Sequence, residues 1–183
     1  MSARAILCAL AAVTAAIPAL AAPAWAGSKS EYCYTTLLTD AELEAGKVNA
    51  ISCYSSEFQL TVAVAVNLGV APLGSLDFGI LSFTNRRLAR HYDSSSGGSN
   101  LSVYGTSCTG GGLNLTGTGW DDRISATQHG ACGTIVHYTD INFGGSSQLT
   151  TGGCGGWAFM NYLLNNNVSS ILYYGPESGW CAI

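Results

Sequence analysis

The chain has 183 residues, room for one ordinary domain or a small domain with an appendage. Charged residues make up 10% of it, against about 25% in an average soluble protein, while hydrophobic residues reach 48%, a balance that argues against global disorder. The 23 glycines argue against a helical bundle, and a net charge of −4 with only seven Lys and Arg leaves no basic patch for nucleic acid.

Met1 to Ala26 reads as a secretion signal: a basic start at Arg4, an apolar stretch from Ala5 to about Ala22, and a small-x-small end at Ala24-Trp25-Ala26. No second apolar run approaches the ~20 residues of a membrane span, so membrane insertion is not expected. The mature chain is therefore expected to begin near Gly27 and to act outside the cell.

Export changes the reading of the cysteines. Cys8 leaves with the signal, and Cys33, Cys53, Cys108, Cys132, Cys154 and Cys181 remain. Six cysteines in an oxidising compartment imply three disulfides, with fifteen connectivities open. Bridges between near neighbours are preferred: Cys33–Cys53, Cys108–Cys132 and Cys154–Cys181. Each closes a loop of roughly 20 to 30 residues, worth ~3 kcal/mol if unstrained. No C-x-x-C or close His/Cys cluster favours zinc.

Residues 27–85 differ in texture from the C-terminal half of the chain, and their fold is left open. Thr39-Asp40-Ala41-Glu42 fits a capping box, and Gly46 fits the stop of the short helix it opens. From Phe58 to Val70 an apolar residue falls on every even position, which predicts a strand. A helix capped by Ser55 or Ser56 and ended by Gly69 is the competing reading. Ala71-Pro72-Leu73-Gly74 then reads as a connector.

From Leu88 the chain repeats. His91-Tyr92, Gly97-Gly98-Ser99 and Asp121-Asp122-Arg123-Ile124-Ser125 return as His137-Tyr138, Gly144-Gly145-Ser146 and Asn165-Asn166-Asn167-Val168-Ser169, offset by 44 to 47 residues. Short β-rich runs separated by Gly/Ser/Asn turns suit antiparallel Greek-key hairpins in a sandwich.

These landmarks resemble the βγ-crystallin family, whose Greek-key signature is an aromatic, four residues, an aromatic, one residue and glycine. Tyr138, Phe143 and Gly145 match it fully. The first copy keeps Tyr92 but has Gly97 for the second aromatic and Ser99 for the glycine. The resemblance covers about Leu88 to Gly175, and it implies an all-β, double Greek-key sandwich over residues 86–183 with a smaller N-terminal appendage. The layout also resembles secreted actinomycete proteins of this type, including metalloproteinase inhibitors and killer-toxin-like proteins.

The family's calcium motif is two Asx, two variable residues, Ser/Thr and Ser. Asn165 to Ser170 fits all of it, and Asp121 to Ala126 all but the last serine. Calcium takes six to eight oxygen ligands, which such loops supply. The resemblance implies that each site borrows from the other motif's hairpin. One would join Asp121, Asp122 and Ser125 with Asp140; the other would join Asn165, Asn166 and Ser169 with Asp93. Carboxylates favour the first, provided that Arg123 turns outward to solvent. The same Asx and Ser residues also suit turns tied by side-chain to backbone hydrogen bonds.

Catalytic readings fare less well. His91 and His137 occupy equivalent repeat positions, which suits structural roles, and His129 stands apart. No G-x-S-x-G elbow is present, and Gly153-Cys154-Gly155 lacks the context of a dinucleotide loop. The expectation is a non-enzymatic secreted protein with a binding or structural role, with calcium as its candidate ligand, and monomeric. The alternative is a peptidase inhibitor whose partner is an extracellular metalloproteinase. Its candidate loops are Ser107–Gly112 and Gly152–Gly156, each tethered at a cysteine.

Overall fold

Short valine-, tyrosine- and threonine-rich runs bounded by glycine turns fold as two largely antiparallel sheets packed face to face. The computed structural model describes residues 30–68, 86–109 and 111–177. The expected secretion signal, Val70, the expected connector at Ala71–Gly74, Gly110 and Cys181 lie outside the described residues.

The first Greek key comprises β4 (Arg86–Tyr92), β5 (Asn100–Gly105), β6 (Gly111–Asn114) and β7 (Ala126–His129). The second comprises β8 (Cys132–Tyr138), β9 (Ser147–Thr151), β10 (Trp157–Phe159) and β11 (Ser170–Glu177). Each motif gives its third strand to the other sheet: β10 pairs with β7, and β6 pairs with β11. This exchange makes the fold the expected all-β double Greek-key sandwich. It also brings the loops of one motif against the hairpins of the other.

The segment ahead of the repeat joins both sheets. β1 (Tyr32–Thr36) runs parallel to β5 and carries β3 (Ser52–Tyr54) on its far side. β2 (Leu38–Thr39) pairs with β6 at the edge of the second sheet. The short helix α1 (Asp40–Glu44) opens on the capping box expected at Thr39 and Glu42. Gly46, at φ +69°, follows it in the left-handed region that glycine enters without steric cost.

The predicted strand from Phe58 to Val70 is instead a helix, α2 (Glu57–Leu68). Ser56 starts it, accepting at its hydroxyl from Gln59 N–H and at its carbonyl from Leu60 N–H. Two residues turn a helix by about 200°, so apolar residues at every even position form two opposite stripes with spacing four. Leu60 and Val64 are buried on Tyr34 and Tyr104 of the first sheet. Phe58, Val62 and Val66 face away and are exposed. Alternation alone does not separate this arrangement from a strand.

Between the sheets lie Leu88, Leu101, Val103, Leu113, Leu115, Trp120, Ile124, Ile135, Leu164, Val168 and Ile171. Two of the preferred bridges are present, Cys33–Cys53 across the β1–β3 pair and Cys108–Cys132. Cys154 is disulfide-bonded as well.

Candidate functional site

The two Asx loops sit at one end of the sandwich and grip one another. Asp122 N–H donates to Val168 O at 3.2 Å, and Asn166 N–H donates to Ile124 O at 3.0 Å. Asp122 and Asn166 both have φ of +55°, a conformation that Asp and Asn tolerate better than other residues with a Cβ. The second Asx of each motif therefore has a backbone role. The serines are seated alike: Ser125 N–H donates to Tyr92 O and Ser169 N–H to Tyr138 O, at 2.8 and 2.9 Å.

This seating places each serine on the hairpin of its own motif. Ser125 Oγ lies 3.1 Å from Asp93 O and 2.9 Å from Asn166 Oδ1, so its one proton is shared between two acceptors. Among the described residues no hydrogen bond joins Ser125 to Asp140. Ser125 therefore lies with Asp93 and Asn166 of the second expected ligand set. Asp93, Ser125 and Asn166 come together on one side. On the other, the Asp121–Asp122 turn lies against Val168, next to Ser169 and the strand leading to Asp140. Asn165 is exposed and bonded through its N–H to Asn161 O at 2.9 Å.

Arg123 does not turn outward. Its Nη1 donates to Glu31 Oε2 and its Nη2 to Asp93 Oδ2, both at 3.2 Å. Nη1 also reaches Gly119 O at 2.8 Å, and the guanidinium carbon stands 4.7 Å from the centre of the Trp120 ring. Glu31 is anchored to the same hairpin, donating from its N–H to Ser99 Oγ and accepting at its carbonyl from Asn100 N–H. The residues around Asp93 thus do not fit calcium, because their carboxylates already hold a cation.

The other side fits better. Asp121 Oδ1 is buried without a hydrogen-bond partner. Asp122 is exposed, and no hydrogen bond or ion pair engages its carboxylate among the described residues. Asp140 is exposed, and among the described residues its Oδ1 accepts only from its neighbour Thr139 Oγ1. Oxygen donors with several carboxylates suit a hard divalent cation.

The hairpins show why one motif is complete and the other degenerate. Phe143 meets Tyr138 edge to face at 5.8 Å, and Gly145 takes φ +72° where a Cβ would meet Thr139 Oγ1 and Asp140 Cγ. In the first hairpin positive angles fall at Gly97, the counterpart of Phe143 at φ +62°, and at Gly98. Tyr92, lacking an aromatic of its own hairpin, stacks on Trp157 of β10 at 4.6 Å, and Trp157 in turn on Phe159 at 6.3 Å. The strand exchange supplies the missing partner.

All three histidines are fully buried. His91 Nδ1 pairs with Thr127 Oγ1 at 2.8 Å and Nε2 with Tyr173 Oη at 2.6 Å, while His137 Nε2 meets Thr127 Oγ1 at 2.9 Å. Burial holds His91 well below the usual imidazole value and His137 down at about 3, and it also lowers His129. Residues enclosed in this way hold the core together and cannot meet a substrate.

No family model matches the chain, and no curated protein matches it. Among solved structures it is similar to a double-mutant βγ-crystallin domain from Clostridium beijerinckii: 20% identity, 49% of this chain and 98% of that one, TM-score 0.37. A βγ-crystallin domain from Flavobacterium johnsoniae shows 24% identity over 50% of this chain and 97% of that one, TM-score 0.36. A structure described under the evolution of the eye-lens βγ-crystallin domain fold shows 16% identity, 54% and 96% coverage, and TM-score 0.39.

Proposed function

We propose that the protein is an exported, non-enzymatic βγ-crystallin-type protein with a binding or structural role outside the cell, and that it holds one calcium ion. The ion's ligands come from Asp121, Asp122 and Ser169, with Asp140 from the hairpin beside them. The observation that carries this reading is the buried, unpartnered Asp121 Oδ1, beside the exposed Asp122 in a turn that Asp122 N–H ties to Val168 O. Calcium bound there would neutralise those carboxylates and fasten the end of the sandwich. Because the ion would bind the folded chain alone, saturating calcium is expected to raise the melting temperature of chelator-stripped protein. No shift at millimolar calcium would leave the loops as turns only.

One observation favours a second reading, inhibition of a peptidase. The Gly152–Gly156 loop exposes Gly153 and Cys154, yet it is held by the Cys154 disulfide and by Gly155 N–H to His129 O at 2.8 Å. Such preorganisation is what a loop entering a protease cleft needs. The Ser107–Gly112 loop is less suited, since Cys108, Gly111 and Gly112 are buried. Incubation of the mature protein with a thermolysin-type protease tests this reading; unchanged proteolysis would end it.

A further inference from the structure

The resemblance assigns calcium to both ends of the pseudo-symmetric pair, but the end holding Asp93 already has a positive charge built into the chain. We propose that the Arg123 guanidinium is the resident cation of the Asp93 site, standing where calcium would, and that it clasps the N-terminal segment onto the Greek-key domain. The clasp uses residues other than those of the calcium site proposed above and stands or falls separately from it.

Three parts of the chain converge on this one group. Glu31 precedes β1, Asp93 follows β4, and Gly119 and Trp120 come from the loop that carries Arg123 itself. The guanidinium is a planar fork with donors fixed in direction, and here its two ends serve two carboxylates from segments 62 residues apart. Trp120, which is fully buried, offers its ring face to the same cation. The donors calcium would need are engaged: Asp93 Oδ2 by Arg123, and both the Asp93 carbonyl and Asn166 Oδ1 by the Ser125 hydroxyl. A divalent ion entering here would have to displace the guanidinium and then face its charge at close range.

The clasp also has a structural consequence. Glu31 sets the start of β1, whose parallel pairing with β5 begins one residue later at Tyr32 opposite Asn100. The main-chain bonds of Glu31 to Ser99 and Asn100 fix its position, and its carboxylate then closes on Arg123. Arg123 thereby joins the N-terminal segment, the first hairpin and the first Asx loop without any metal.

The test is a thermal melting series on the full mature chain in chelator and in millimolar calcium. The proteins are wild type, Asp93→Asn, Arg123→Gln and the double variant. In chelator each single substitution is expected to lower the melting temperature by roughly 2–4 °C. The double variant should fall little further than the worse single, because the two act through one contact. Asp93→Asn should leave the calcium response of the wild type, whatever its size, unchanged. Additive losses would overturn the clasp. A calcium-linked shift that disappears in Asp93→Asn would overturn the claim that Arg123 stands in for the ion. If Arg123→Gln fails to fold, the Asp93→Asn arm still decides the second point. Glu31→Gln in place of Arg123→Gln then decides the first: alone it should lower the melting temperature in chelator, and no loss would overturn the clasp.

Discussion

His91 and Tyr173 share a hydrogen bond of 2.6 Å in the buried space between the two sheets. Through Thr127 this bond extends to His137, so the equivalent histidines of the two motifs meet across the pseudo-symmetry axis, with their rings edge to face at 5.5 Å. A hydrogen-bonded network at this depth fixes how the two sheets register, because any shift would leave its members unpaired.

That network sets a pH dependence. Above the ordinary imidazole value of 6.5 both folded and unfolded histidines are neutral, so stability does not change on their account. Below it the unfolded chain takes up protons that buried His137 refuses until about pH 3, and buried His91 is likewise held neutral well below 6.5. Stability should therefore fall through that window by about 1.4 kcal/mol per pH unit for each histidine that stays neutral. Denaturant midpoints at pH 7, 5.5 and 4.5 measure the slope. His137→Gln should flatten it, and an unchanged slope would show that these histidines are not its source.

The stack of Tyr92 on Trp157 predicts that an exposed-looking tryptophan matters to stability. Trp157→Ala should cost about 1–2 kcal/mol through lost burial of Tyr92 and lost ring contact. Tyr162, which is 89% exposed, serves as the control and should be removable at less than about 0.5 kcal/mol. Equal effects in urea unfolding would contradict the role given to Trp157.

The helical α2 can be distinguished from a strand by two valines two positions apart. Val64 is 3% exposed and Val66 is 77% exposed, although a strand would put both on one face. Val66→Asp should change stability by no more than about 0.5 kcal/mol, whereas Val64→Asp should cost at least about 3 kcal/mol. Similar losses at both positions would favour a strand.

The Cys33–Cys53 bridge closes a loop that holds β2 and α1. Replacing both cysteines with serine should cost about 3 kcal/mol, the value expected for a loop of this length. Denaturation curves check the loss. Limited proteolysis of the same variant should give new cuts at the exposed residues 44–48, inside the loop that the bridge closes.

Much of the fold was legible where the determinants are local. Thr39 and Glu42 cap their helix within three residues, and Tyr138, Phe143 and Gly145 build their hairpin within eight. Near-neighbour bridging also identified Cys33–Cys53 and Cys108–Cys132. What escaped the sequence depends on residues far apart in the chain. Glu31 lies 92 residues from Arg123, and Trp157 reaches Tyr92 only because β10 crosses to the first sheet. The place of Ser125 escaped for the same reason: each Asx loop leans on the other motif while its serine stays with its own hairpin. In α2 the obstacle was physical ambiguity, since period-two valines fill a strand face and two opposite helix stripes equally well.

The most direct test of the calcium site is a calorimetric calcium titration of the chelator-stripped mature protein. A single ion per chain is expected, with the binding heat lost in Asp122→Ala and mostly retained in Asn166→Ala, because Asn166 belongs to the side that Arg123 occupies. No heat at millimolar calcium, two ions per chain, or a larger share removed by Asn166→Ala would each contradict it.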